Sequence, residues 1–173
     1  IFRMGGTWRQ LREEEVEMNG YSFFTSYHGD MTSFLWLNAS VNGGRTMDFE
    51  RLAPAMYYGG SISTVLRPTK ALRLDAGFVI NQLIPQEGDK ELGNRLRGKL
   101  TWQFTRELGL RVISEYSGGT ELDPALSDSI LVTWLLHPGT AVWLGYVETT
   151  DLTGSPRAME RSIFAKASVL FRP

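Results

Sequence analysis

The segment from Asn94 to Arg106, N-R-L-R-G-K-L-T-W-Q-F-T-R, constrains the fold more than any other in this chain. Leu96, Gly98, Leu100, Trp102 and Phe104 share one parity, while Arg95, Arg97, Lys99, Thr101, Gln103 and Thr105 share the other. Strict alternation with period two marks a β-strand with one apolar and one polar face. Half-buried strands of soluble proteins are usually about 5–6 residues long. An alternating run of about ten residues ending in aromatics has the length with which a tilted strand crosses a bilayer. The pattern recurs: Leu72, Leu74, Ala76, Phe78 and Ile80 oppose Arg73, Asp75, Gly77 and Asn81, and Leu110, Val112 and Tyr116 oppose Arg111 and Glu115. The sequence therefore predicts an all-β fold, an antiparallel up-and-down transmembrane β-barrel with about ten strands in this chain, either complete or part of a larger barrel.

The expected strands are Phe2–Leu11, Tyr21–Tyr27, Thr32–Val41, Met56–Arg67, Ala71–Leu83, Asn94–Arg106, Leu108–Ser117, Ile130–Leu136, Ala141–Val147 and Arg161–Arg172. Asn42-Gly43-Gly44 reads as a tight turn, and Tyr27-His28-Gly29-Asp30 as another. Ser129 to Val147 is apolar enough to compete as a transmembrane helix. His137-Pro138-Gly139 at its middle favours two strands and a turn, because proline deep in a helix costs about 3 kcal/mol. Connections are expected to alternate. Pro68–Lys70, Arg106-Glu107 and His137–Gly139 read as short, and Pro85–Gly93, Gly118–Asp128 and Thr149–Glu160 as long, which is the plan of outer-membrane barrels.

The chain has 173 residues and a formal net charge of -1, which suits a single domain spanning residues 1–173 and gives no electrostatic reason to bind nucleic acid. A hydrophobic content of 42% is compatible with a barrel, because polar lumen positions dilute the lipid-facing ones. The absence of cysteine excludes disulfides, thiolate metal sites and cysteine nucleophiles. The chain begins at Ile1, without an initiator methionine or signal peptide, as a processed or truncated product would.

Leu131-Val-Thr-Trp-Leu-Leu-His-Pro-Gly-Thr-Ala-Val-Trp-Leu-Gly-Tyr146, followed by Arg161-Ser-Ile-Phe-Ala-Lys-Ala-Ser-Val-Leu-Phe-Arg172, resembles the C-terminal end of the DUF5916 family. The matching positions are Pro138, Gly139, Thr140, Gly145, Tyr146, Phe164, Lys166, Ser168, Leu170, Phe171 and Arg172, and Phe104 to Arg111 resembles the short turn before these strands. The resemblance is good from about Leu92 onward, plausible from Arg51 and weak before it. It implies the barrel region of long Gram-negative proteins whose N-terminal part is a sandwich resembling carbohydrate-binding family 9. It carries over no catalytic residues. The final alternating strand, ending in Phe171, also resembles the signal read by the barrel-assembly machinery, from which Arg172-Pro173 departs.

No catalytic constellation stands out: neither G-x-S-x-G nor a phosphate-binding loop is present. Asp48 and Glu50 read as a solvated rim rather than a catalytic pair. His28 and His137 read as turn histidines, not metal ligands, and no cofactor or metal is expected. The candidate site is the basic set on the polar parity, Arg73, Arg95, Arg97, Lys99, Arg111 and Lys166, which in a barrel lines the lumen as a possible anion or sugar contact. Its competing role is pairing with Asp75 and Glu115. Leu100, Trp102, Phe104, Tyr116, Trp134, Tyr146 and Phe171 are expected to face lipid or form aromatic girdles, with Trp143 among the girdle aromatics.

The functional expectation is a non-enzymatic outer-membrane protein of a Gram-negative bacterium with a transport or pore role. Its expected partners are the lipid bilayer, the barrel-assembly machinery during biogenesis and a larger surface complex. A non-conducting anchor and a soluble β-sandwich or lipocalin-like module are the alternatives. If the chain is a complete ten-stranded barrel, the first and last strands pair directly. If not, further strands separate them.

Overall fold

The computed structural model describes residues 1–13, 16–49, 51–137 and 140–169. They form ten strands: β1 (Phe2–Glu13), β2 (Val16–Asp30), β3 (Leu35–Asp48), β4 (Ala53–Leu66), β5 (Leu72–Pro85), β6 (Glu91–Gln103), β7 (Leu108–Gly119), β8 (Ala125–His137), β9 (Thr140–Asp151) and β10 (Arg157–Val169). Every strand pairs antiparallel with its chain neighbour, giving one meander in the order β1 to β10. Ser129–Val147 lies in the β8–β9 hairpin, and no helix among the described residues is long and apolar enough to cross a membrane. The ten strands do not close on themselves. β1 and β10 are the two edges, with no ladder between them among the described residues.

Two turn readings are corrected. Asn42-Gly43-Gly44 lies within β3, paired with Phe24, Phe23 and Ser22 on one side and with Gly59, Tyr58 and Tyr57 on the other. The glycines answer to space, not to a turn. A Cβ on Gly44 would lie 2.0 Å from the Tyr21 carbonyl oxygen, and one on Gly43 would lie 2.9 Å from the Phe23 ring. His28, Gly29 and Asp30 likewise continue β2, with His28 opposite Asn38 and edge-on to Trp36 at 5.1 Å.

Among the described connections the alternation of short and long is also absent, the expected short one at His137–Gly139 lying outside them. The strands run on into each expected long loop and leave only 86–90, 120–124 and 152–156 outside them. The connections 67–71 and 104–107 at the opposite end are of similar length. Backbone pairing does not require apolar side chains, so polar and glycine-rich sequence such as Glu91-Leu92-Gly93 is carried into the ladder by Leu83, Gln82 and Asn81.

Three connections at that opposite end share one device. Thr32, Thr69 and Thr105 each accept, at Oγ1, the amides two and three residues on: Phe34 and Leu35, Ala71 and Leu72, Glu107 and Leu108, at 3.0–3.4 Å. Each is a T-x-x-L sequence in which the hydroxyl replaces backbone partners that a tight turn leaves unpaired.

The registers sort the side chains onto two faces. One face carries Phe2, Met4 and Trp8 (β1), Phe23 and Tyr27 (β2), Leu37 and Val41 (β3), Ile62 and Leu66 (β4), Leu74 and Phe78 (β5), Leu96 and Leu100 (β6), Leu110 and Val112 (β7), Ile130 and Trp134 (β8), Val142 and Leu144 (β9), and Ile163 and Val169 (β10). The other face is mainly serine, asparagine, glycine and charge. Packing between strands is confined to sheet neighbours, with no second sheet or helix laid across either face among the described residues. A core is therefore nearly missing. Among the described residues no large side chain is fully buried, while Trp8 is 70% exposed and Ile163 76%.

Candidate functional site

On the polar face the charged side chains gather on β5, β6 and β7. Arg73 forks onto Asp75 two residues along the same strand face, with Nε 3.0 Å and Nη2 2.6 Å from Oδ1. Lys99, directly across from Asp75, brings Nζ to 3.8 Å from Oδ2. Glu115 receives Arg95 through Nη2 on one carboxylate oxygen and Arg97 Nε at 3.3 Å on the other. Arg111 stands in the row Arg73–Thr101–Arg111 and makes no ion pair among the described residues. Five cations thus stand beside two carboxylates. The sequence-level partners Asp75 and Glu115 hold four of the cations, and the stripe keeps an excess of positive charge.

The sixth basic residue, Lys166, is not part of this group. It lies on β10 opposite Trp143, with Nζ 5.6 Å from the ring centroid, a cation–π contact three strands from β7. Trp143 itself is on the polar face, opposite Thr133, and is no girdle residue. Parity decides this: Trp143 shares its face with Ala141 and Gly145, whereas Val142, Leu144 and Tyr146 take the apolar one.

The stripe has a floor of small polar residues that sequence reasoning missed. The row through Arg97 runs Asn38, Ser63, Gly77, Arg97, Glu115, Ser127 and Thr149. Ser40 and Ser61 hydrogen-bond at 2.8 Å one row away. Asn42 and Asn81 flank Gly59, where a Cβ would come within 2.9 Å of both amide oxygens. Same-parity serine and asparagine in β3 and β4 are the signal that could have shown it.

The expected girdle residues Leu100, Trp102, Tyr116, Trp134 and Tyr146 all fall on the apolar face. Phe104 lies just past β6 and stacks on Trp102 with ring centroids 4.4 Å apart. Phe171, Glu50 and the Pro138-Gly139 turn lie outside the described residues, as does the side chain of His137. The apolar face ends abruptly toward the 152–156 end. There Asp128 sits across from Glu148, which binds the Tyr146 hydroxyl and takes Arg161 Nη2 at 2.8 Å. Arg12–Glu17 marks the same end on β1–β2. On β5 the uninterrupted apolar parity runs Leu72–Ile80, and a rise of about 3.3 Å per residue gives this stretch roughly 26 Å.

At that end Arg51 joins two hairpins, with Nη1 2.7 Å from Asp48 Oδ2 and 2.9 Å from Glu91 Oε1. Hydrogen bonds to Asp48 and then Glu91 raise the Arg51 pKa above its ordinary value, fixing its charge. Among the described residues no group of three or more histidine, cysteine, aspartate or glutamate side chains could hold a metal ion. No family model matches the chain, and a search of curated proteins returns no match.

Proposed function

We propose that this chain forms the wall of an outer-membrane β-barrel of a Gram-negative bacterium, with a transport or pore role and with its polar face toward the lumen, as the resemblance to the DUF5916 barrel region implies. The observation that carries the reading is an apolar face ten strands wide with nothing packed on it. In water such a surface far exceeds the few hundred Å² of apolar patch that monomers tolerate, and the chain has almost no core to offset it. A bilayer covers it without further protein. The apolar run Leu72–Ile80 on β5 suits the roughly 9–11 residues with which a tilted strand crosses a bilayer, and the acid–arginine pairs beyond it suit the headgroup level. Closure of the barrel falls to strands that pair the β1 and β10 edges.

The test is folding into phosphocholine vesicles followed by planar-bilayer recording. Lipid-dependent folding with discrete conductance is expected. A protein that stays monodisperse and folded without detergent or lipid would overturn the membrane reading. Lipid insertion without conductance would leave the anchor role in place of the pore.

A further inference from the structure

We infer that the β5–β7 stripe is a binding strip for small polyanions, solutes carrying phosphate, carboxylate or sulfate groups, with Arg95, Arg97 and Arg111 as the contacting residues. The inference rests on the lumen-facing reading of the polar face, and three observations carry it.

The first is charge. On β6 the residues Arg95, Lys99 and, between them, Arg97 follow one another on a single face, about 7 Å apart by strand geometry. Asp75 and Glu115 are their only anionic partners among the described residues. Arg111 has none.

The second is unused hydrogen-bonding capacity. A guanidinium offers five N–H donors. Arg95 donates one hydrogen bond to Glu115, from Nη2, and Arg97 approaches it no nearer than 3.3 Å, at Nε. The remaining donors are a ready fork for phosphate or carboxylate oxygens. The two side chains stay 61% and 52% exposed.

The third is access. The neighbours in the Arg97 row are Gly77, Ser63 and Ser127. At Gly77 a Cβ would find nothing nearer than 3.9 Å. The long cations stand over a floor of small side chains, with room for a solute whose hydroxyls meet Ser61 and Ser63.

The test uses the whole chain in phosphocholine vesicles, with inorganic pyrophosphate as the probe and titration calorimetry as the readout. Saturable binding that weakens with added salt is expected. The double variant R95Q/R97Q should weaken it roughly tenfold, whereas R3Q/R9Q, on the polar face of β1, should change it less than about twofold. E115Q releases both guanidiniums and should tighten binding several-fold. No saturable binding, equal losses in the two double variants, or an E115Q variant that binds no better would each overturn the strip. Should R95Q/R97Q not fold, E115Q decides alone. Pyrophosphate binding without conductance would sink the pore and leave the strip standing. Conductance without binding would do the reverse.

Discussion

On β6, Leu96, Leu100 and Trp102 point to one side and Arg95, Arg97 and Lys99 to the other, and the two sets are treated in opposite ways. The apolar side chains meet same-face neighbours such as Leu74, Phe78 and Val112 and are otherwise bare. The polar ones are tied across strands by named atoms, as in Arg95 to Glu115 and Lys99 to Asp75. The apolar face is thus generic, asking only for a greasy cover of the right height. The polar face is specific, with its largest group of charges on β5–β7, serine and asparagine side chains on β3 and β4, and Arg3, Arg9 and Lys166 standing apart on the outer strands. On the proposed reading the sheet keeps stability on one side and solute contact on the other, so substitutions should separate the two.

The largest contrast should come from placing the same cation on each face. Leu100→Arg, between Leu74 and Val112 in mid-belt, is expected to cost about 2–4 kcal/mol in folding into lipid. Ser63→Arg on the polar face should stay within about 0.5 kcal/mol. Urea titration of vesicle-folded protein measures both, and equal costs would break the assignment of faces. Next is close approach: Gly44→Val should lose about 1–3 kcal/mol because its side chain meets the Tyr21 backbone, whereas Gly98→Ala, with open space at its Cβ, should be near neutral. Smaller still, Thr69→Ala removes two turn hydrogen bonds and should cost about 0.5–1.5 kcal/mol, seen as faster amide exchange at Ala71 and Leu72. The smallest effect is expected for Glu115→Gln. Its partners are more than half exposed, so the stability loss should be under about 1 kcal/mol, although anion binding changes measurably.

Strand identity and the division into two faces were legible because period two is strongest on β5 and β6, where Leu72, Leu74, Leu96 and Leu100 alternate with Arg73, Asp75, Arg95, Arg97 and Lys99. Strand ends were not. Glycine and polar residues at Asn42–Gly44 and Glu91–Gly93 carry turn-like composition, yet both runs pair in the ladder, and at Gly43 and Gly44 neighbouring backbone and the Phe23 ring fill the space a side chain would take. Phe23 lies over Gly43, and Phe164 over Gly145 in the same way. Such cross-strand pairs are invisible until register is known. In the candidate site, Arg73, Arg95, Arg97, Lys99 and Arg111 were recognisable by parity. Their convergence, and the exclusion of Lys166, depended on strand order. The T-x-x-L turns at Thr32, Thr69 and Thr105 were not readable from the pattern alone, since Thr133–Leu136 inside β8 and Thr149–Leu152 at the end of β9 carry it too.

The meander has a kinetic consequence. Each ladder joins segments adjacent in the chain, so every pairing closes a short loop at small entropic cost, and low contact order favours rapid zippering. Hairpins can therefore be laid down one after another from either direction, each new strand finding a complete template at the growing margin. Only the junctions at the outer margins of β1 and β10 escape this economy of distance. In the proposed barrel the slow step of assembly should lie there, and a catalyst of insertion would gain most by holding those two margins.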